Sequence, residues 1–567
     1  MHLINVRELK LEYYPYERKR PPYTILSHTW EDDQEVTYEE FRSTTRTYKR
    51  GWQKIDRTCN LTSNAGWNYV WIDTCCINKD SSAELSEAIN SMFKWYQNAE
   101  LCFVYLEDLS PDPNPEARLS SCRWWTRGWT LQELLAPTEV WFLNHDWTYI
   151  GTRKSLLSII SEISRVPGRV LAGQTKLATI PVAQKMSWAA KRHTSRPEDQ
   201  AYCLLGIFDV NMPLLYGEGE KAFPRLQEEI IKRSNDQSIF AHTGIGITAT
   251  HPSDFETCQG MVPYVIDRLD FMITNQGLRF NGDIMLRFGS VRIGEGYAAN
   301  YAYVLLLGAD AAANDEHVGI CLRKIGPTIF QKIADAPLAR TERTFTQTAF
   351  FLVPTLDIMH IRSGAPSVLY DNYRERTVHI YSIPELRPGV VSPEALWDRT
   401  NNIVLRERPY PLDQSRIAVG IMYEVDANQR IGVLFNFSDL SRAEKPLVFM
   451  FDKRSTHRLA NFVFGPRSLD TVIYWGDLYE RFPQEMENFG QRLTFNIDNT
   501  LYRIHAEFVL AKDSQRQEWM KPNVWDLDLN FRKLTQNEMQ AQHHQVPQGV
   551  TTPPSSAHVS PVLQHRR

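Results

Sequence analysis

An α/β domain followed by a β-rich half is the architecture the sequence predicts, and three observations carry it. Between Tyr23 and Leu143, short apolar runs alternate with stretches of helical pattern. Ten of the 15 tryptophans lie between Trp30 and Trp147, which marks that segment as a domain core. Beyond Thr243 the texture turns to strand-like runs, two of them with clear period two.

Taken in order, Tyr23–Ser27, Tyr69–Asp73, Leu101–Leu106 and Glu139–Leu143 read as strands. Helical pattern fills the intervals: Gly51–Ala65, then Ser81–Ala99, then Trp124–Ala136. In the second of these, Leu85, Ile89, Met92 and Tyr96 recur at three- and four-residue spacing behind Ser81 or Ser82 as N-cap. The order βαβαβαβ implies a parallel sheet with helices on both faces over residues 1–150. Residues 151–245 read as a helical extension of that domain, with Pro197 just ahead of Glu198 and Asp199 at a helix start. Residues 246–535 read as an antiparallel, sandwich-like C-terminal half of one or two subdomains, expected to regulate the first domain. There Ile431, Val433, Phe435 and Phe437 alternate with Gly432, Leu434 and Asn436, and Tyr502, Ile504, Ala506 and Phe508 alternate with Arg503, His505 and Glu507. Residues 536–567, rich in Gln, Pro, Ser and His, read as a disordered tail because they have too little apolar surface to pack.

The 567 residues carry 63 Lys plus Arg against 67 Asp plus Glu, a net charge of −4. No basic surplus points to nucleic acid or anionic lipid. Arg7, Glu8, Lys10 and Glu12 interrupt the stretch a signal peptide would need, and the longest apolar run, Tyr301 to Ala309, is far short of a membrane span. A cytoplasmic protein without a membrane span is expected. The eight cysteines include no CxxC pair and most sit in apolar runs, so reduced, buried thiols are expected. No Walker A sequence, HExxH, EF-hand loop or zinc-ligand pairing occurs, so neither a bound metal nor a resident cofactor is expected.

Three segments follow predicted strands: Ser27-His28-Thr29-Trp30, Asp73-Thr74-Cys75-Cys76 and Glu107-Asp108. In an open parallel sheet, ligands bind at the carboxyl ends of the strands, which makes these residues site candidates. Asp73, closing an apolar strand, is either a cap for its loop or a ligand contact. Cys75 or Cys76 with His28 could form a nucleophilic pair, or the thiols are inert core. In Arg127-Gly128-Trp129-Thr130-Leu131-Gln132-Glu133, the apolar face is set by Leu131, Leu134 and Leu135. Glu133 lies off that face and reads as a partly exposed helical residue. It is either solvated, paired with Arg127, or a carboxylate facing the same crevice as Asp73 and the Trp30 ring. A crevice with a carboxylate and an aromatic face suits cleavage of a glycosidic bond to nicotinamide. The ring leaves as a neutral base, so the carboxylate's work is to stabilise an oxocarbenium-like transition state and orient ribose hydroxyls.

The segments YTILSHTW (Tyr23–Trp30), WIDTCCINKDSSAELSEAINSMFKWYQNA (Trp71–Ala99), RGWTLQELLAP (Arg127–Pro137) and RPEDQAYCLLGIFDVNMPLLYGEGEKAFPRLQEEI (Arg196–Ile230) resemble the fungal heterokaryon incompatibility (HET) domain, over about Tyr23 to Phe240. Asn78 stands where many members have an acidic residue. The resemblance implies nonself recognition between fungal individuals, ending in regulated cell death. The HET domain is in turn distantly similar to Toll/interleukin-1 receptor (TIR) domains, which have a flavodoxin-like fold and in several lineages cleave NAD. LSHTW resembles their first-strand motif, and GWTLQEL resembles the segment with their catalytic glutamate, with Thr130 where cysteine is frequent. By that match the catalytic glutamate is Glu133; with Asp73, taken from its place after a strand, it makes up the catalytic candidates, and Ser27, His28, Trp30, Cys75, Arg127 and Trp129 are the ligand-binding ones. NAD is then a substrate, and a homo-oligomer or an incompatibility partner protein is the expected assembly. The alternative from another class is a non-enzymatic signalling module that acts by self-association or by recruiting partners.

Overall fold

The computed structural model describes residues 1–262 apart from 44–47, 112–115 and 245. Beyond them it describes the strands, a helix and short neighbouring segments up to residue 535. The proposed tail, 536–567, lies outside the described residues. The chain forms two compact units, one of Met1–Tyr373 with Asp398–Asn401, the other of Arg374–Trp397 with Asn402–Arg567.

The first unit begins with a seven-stranded sheet: β1 (His2–Asn5), β2 (Lys10–Tyr13), β3 (Thr24–His28), β4 (Tyr69–Trp71), β5 (Leu101–Tyr105), β6 (Val140–Leu143) and β7 (Tyr149–Thr152). Their order is β2-β1-β4-β3-β5-β6-β7. β4, β3, β5 and β6 are the expected parallel strands. β3 and β5 are buried at every residue, as strands covered on both faces must be. The margins differ from the expectation: β1, β2 and β7 add antiparallel edges, so the sheet is mixed. These strands have four residues each and hold charged or small residues (KLEY, YIGT), so they leave no apolar run to detect. β4 also stops at Trp71, which leaves Asp73 in the loop beyond it.

The helices of this region are α1 (Tyr38–Arg42), α2 (Gly51–Asn64), α3 (Ser82–Gln97) and α4 (Thr130–Leu135). α3 starts where predicted, its Ser81 hydroxyl accepting from the Glu84 N–H at 3.3 Å. It buries Ala88, Ile89, Met92, Trp95 and Tyr96. The rings of Trp95 and Tyr96 meet Trp71 of β4 edge-on at 5.6 and 5.9 Å. The single helical segment expected over Trp124–Ala136 is instead a 3₁₀ turn, Arg123–Thr126, a break, and then α4. Gly128 makes the break: its N–H donates to the His193 carbonyl at 2.9 Å. A Cβ there would fall 2.5 Å from Thr194 Cγ2, so only glycine permits that approach.

The helical pattern of the next segment resolves into short helices, among them Leu157–Ser164, Val182–Ser187 and Ala222–Ile231. A ten-stranded sheet, Met261 to Arg362, follows within the same unit. It is antiparallel except where Ile329–Lys332 runs parallel to Leu356–Arg362. Phe240 packs on Phe271 and Phe280 at 5.1 and 5.9 Å between centroids. Lys332 Nζ donates to the His242 carbonyl at 2.6 Å across 90 residues of sequence.

In the second unit a five-stranded and a six-stranded sheet share one core, Ile421, Ile431, Val433 and Phe435 against Ile504, Ala506, Leu527 and Leu529. The period-two runs are thereby explained, since Leu434 and Phe451 turn to the opposite face, under Leu459 and Val463 of the helix His457–Phe464. One pair departs from the antiparallel expectation, Thr377–Ile380 running parallel to Trp525–Lys533. Among the described residues no helix is long and apolar enough to cross a membrane. All eight cysteines are buried, and none of them is in a disulfide.

Candidate functional site

β3 ends in two polar residues, and strand geometry sends them to opposite faces of the sheet. Thr24 meets Thr62 of α2 at 2.6 Å, so the face that carries Thr24 and His28 looks toward α2. Ser27 looks the other way, to α4, where its hydroxyl donates to Glu133 Oε2 and accepts from Trp124 Nε1 at 2.8 Å. Tyr96 closes the same side by donating to the Leu26 carbonyl at 3.0 Å. Glu133 is 5% exposed. It is neither solvated nor paired with Arg127, and the reading of a partly exposed helical residue is corrected. A helix of six residues wedged between α3 and β3 has little free perimeter, and five of its six residues are buried.

On the α2 side, His28 Nε2 lies 3.2 Å from Asp73 Oδ1, and Trp30 Nε1 donates to Asp73 Oδ2 at 3.0 Å. Behind the imidazole, Glu35 accepts from Lys54 Nζ at 2.6 Å, and Lys54 also donates to the Thr29 carbonyl at 3.1 Å. Trp30 is 43% exposed, and Lys79 Nζ sits 3.6 Å from its ring centroid.

The two carboxyl groups are driven apart. Burial, then the negative charge of Asp73, push Glu133 up to about 8 against the pull of Ser27, Tyr96 and Arg192. Burial also opposes the charge on Asp73, yet His28, Lys79 and the Trp30 indole together hold it below the usual carboxylate range. At neutral pH an ionised Asp73 therefore lies on the α2 side of β3 and a mainly neutral Glu133 on the α4 side, close enough for the charge of the first to act on the second, a division that suits acid–base and electrostatic work.

Other candidates stand apart from this cluster. Cys75 is fully buried with Sγ 4.0 Å from the Ile72 carbonyl, and burial raises its pKa well above that of a free thiol. With His28 engaged by Asp73, the Cys75–His28 pair is not formed. The Arg127 guanidinium donates to Ser195 Oγ at 3.1 Å and leaves Glu133 alone. Trp129 is half-buried beside Asp199.

The sequence did not single out Trp124 or Arg192, and Thr130 entered only as the residue in place of a frequent cysteine. Arg192, 2% exposed, donates from Nη1 to the Arg127 carbonyl at 2.9 Å and to Thr130 Oγ1 at 2.8 Å, while its Nη2 has no hydrogen-bond partner. The Thr130 hydroxyl also lies 2.6 Å from the Trp124 carbonyl, which ties the 3₁₀ turn to α4. Trp124 lies just ahead of the motif and Thr130 within it, so a role for either could have been found there. Arg192 lies 65 residues beyond Arg127 and has no local signal.

Comparison with known proteins agrees with this N-terminal region. Residues 23–120 match the family model described as heterokaryon incompatibility protein (HET), and residues 221–269 match a domain of unknown function, DUF8212. A vegetative incompatibility protein of Podospora anserina, HET-E-1, is 46% identical over 223 residues, 38% of this chain and 16% of that relative. The chain thus matches only about one sixth of the relative's length. No solved structure matches.

Proposed function

We propose, on the premise that residues 23–120 form a HET domain, that this chain is a vegetative incompatibility protein, a cell-death effector in nonself recognition that acts by hydrolysing NAD. The name of the 46% identical relative, a vegetative incompatibility protein, supports the incompatibility reading. For the hydrolysis of NAD, the four parallel strands, numbered among themselves, run 2-1-3-4, the order of flavodoxin-like sheets, in keeping with a TIR-like fold. The observation that carries the reading is that the last two residues of β3 each hold a carboxyl, Ser27 the neutral Glu133 of α4 and His28 the ionised Asp73 beyond β4, with Asp73 near enough to raise Glu133. In this reading the exposed Trp30 face receives the flat base. Asp73 meets the positive charge that develops on the ribose, and Glu133, once ionised, adds to that field.

One observation favours a second reading. Glu133 is enclosed, and enclosure suits a structural carboxyl in a module that acts through a homo-oligomer or a partner protein. Glu133→Gln separates the two, because the amide keeps the size and a hydrogen-bond partner for Ser27 but cannot ionise. For the hydrolase, NAD turnover by the purified chain falls roughly 100-fold or more, and killing is lost in a protein that melts normally. For the module, killing survives in the same variant and the parent protein turns over no NAD. Full turnover by Glu133→Gln would overturn the catalytic assignment.

A further inference from the structure

We infer that a cavity of the first unit, formed by none of the candidate site residues above, binds a small organic carboxylate with an apolar body. The cavity has a volume of about 490 Å³ and lies where the segments 178–185 and 234–238 meet Val262 and Leu307 of the ten-stranded sheet. That is within the size range of small-molecule sites. Its chemistry is set by Lys185, a lining residue that is only 7% exposed.

The Lys185 ammonium rests 4.5 Å from the centroid of the Phe208 ring and makes no hydrogen bond or ion pair with any described residue. The nearest compensation is the field of Asp236, also at the cavity wall. Asp236 is held elsewhere, its Oδ2 accepting from the Val182 N–H at 2.7 Å and its Oδ1 from the Ser238 N–H at 2.9 Å, and it makes no ion pair with Lys185. Burial lowers Lys185 to about 8, so at neutral pH it remains mostly protonated. A buried cation without a contact anion is costly to keep, and a ligand carboxylate that enters the cavity would supply the missing partner.

The remaining features define the rest of the ligand. Asp236 opposes a second negative charge, so a monoanion fits better than a phosphate dianion. Ile180, Val182, Val262 and Leu307 offer hydrocarbon contact, which calls for an apolar body behind the carboxylate. Such a ligand would bridge the helical extension and the ten-stranded sheet.

The test titrates the full chain with octanoate, octanol and inorganic phosphate by calorimetry, alongside Lys185→Met and Lys185→Arg. Octanoate is expected to bind at least tenfold tighter than either octanol or phosphate. Lys185→Met should lose that tenfold preference and Lys185→Arg should keep most of it. No octanoate binding, equal binding by Lys185→Met, or tighter binding of phosphate would each overturn the proposal. Reductive methylation of the parent protein decides the matter without any variant. Octanoate slows labelling of Lys185 at least threefold if its carboxylate sits on the ammonium, and unchanged labelling would overturn the site. None of these readouts depends on Glu133 or on NAD.

Discussion

The seven-stranded sheet of the first unit and the two facing sheets of the second bury their strands by different means. In the first, helices cover β3 and β5 so completely that the strand bodies hold no solvent-facing residue, and the polar side chains gather where the strands end. In the second, side chains alternate between two apolar cores, Val433 into one and Leu434 into the other. Covering both faces with helices concentrates chemistry at a rim. Pairing sheet to sheet spends both faces on hydrocarbon and suits the region to packing and recognition.

The contrast breaks most visibly in the cores. Trp71→Ala removes a fully buried ring that meets both Trp95 and Tyr96, and should cost roughly 3–5 kcal/mol together with any NAD turnover. Ile431→Ala in the second unit should cost about 2–5 kcal/mol and leave the titration of Glu133 untouched. Chemical denaturation of both variants checks the costs. A loss of the Glu133 titration in Ile431→Ala would end the separation of rim from sandwich.

A subtler effect is the pH dependence that Glu133 imposes. Its folded value, about 8, lies above its value in the unfolded chain, so the folded state holds the proton more tightly. The stabilisation is therefore full below about pH 4.5. It is lost progressively as pH rises toward 8, with a slope of up to roughly 1 kcal/mol per pH unit. Melting of the parent protein between pH 5 and 8 should fall more steeply than that of Glu133→Gln, and parallel curves would show that Glu133 is already ionised. The smallest expected effect belongs to Ser81→Ala, which removes the cap of α3 at a cost of about 1 kcal/mol. It should leave both the rim and the sandwich intact, as a thermal melt and a turnover assay would show.

Much of the first sheet was legible because its parallel strands are apolar runs and α3 repeats its apolar residues at helical spacing. Period two in the second unit was legible for the matching reason, since each face of Ile431–Phe437 has its own core. The edge strands β2 and β7 were not, because one hydrogen-bonded neighbour can hold a four-residue strand that carries no hydrophobic signature of its own. Asp73, His28 and Trp30 converge as their positions after strands suggested. The enclosure of Glu133 was hidden for a different reason. Leu131, Leu134 and Leu135 mark the most apolar face of α4, but a helix this short is covered on nearly all sides by its neighbours. Arg192 reaches it from a segment that only the tertiary fold brings near.

The hydrogen bond from Lys332 to the His242 carbonyl also has a meaning in time. A ribosome that has just completed the helical extension must add 90 more residues before Lys332 exists. At cellular elongation rates that is roughly 5–20 s. Early in that interval Phe240 lacks its ring partners from the ten-stranded sheet, until Phe271 and then Phe280 are added. The nascent chain thus carries an apolar ring without these two partners, a surface of the kind chaperones hold.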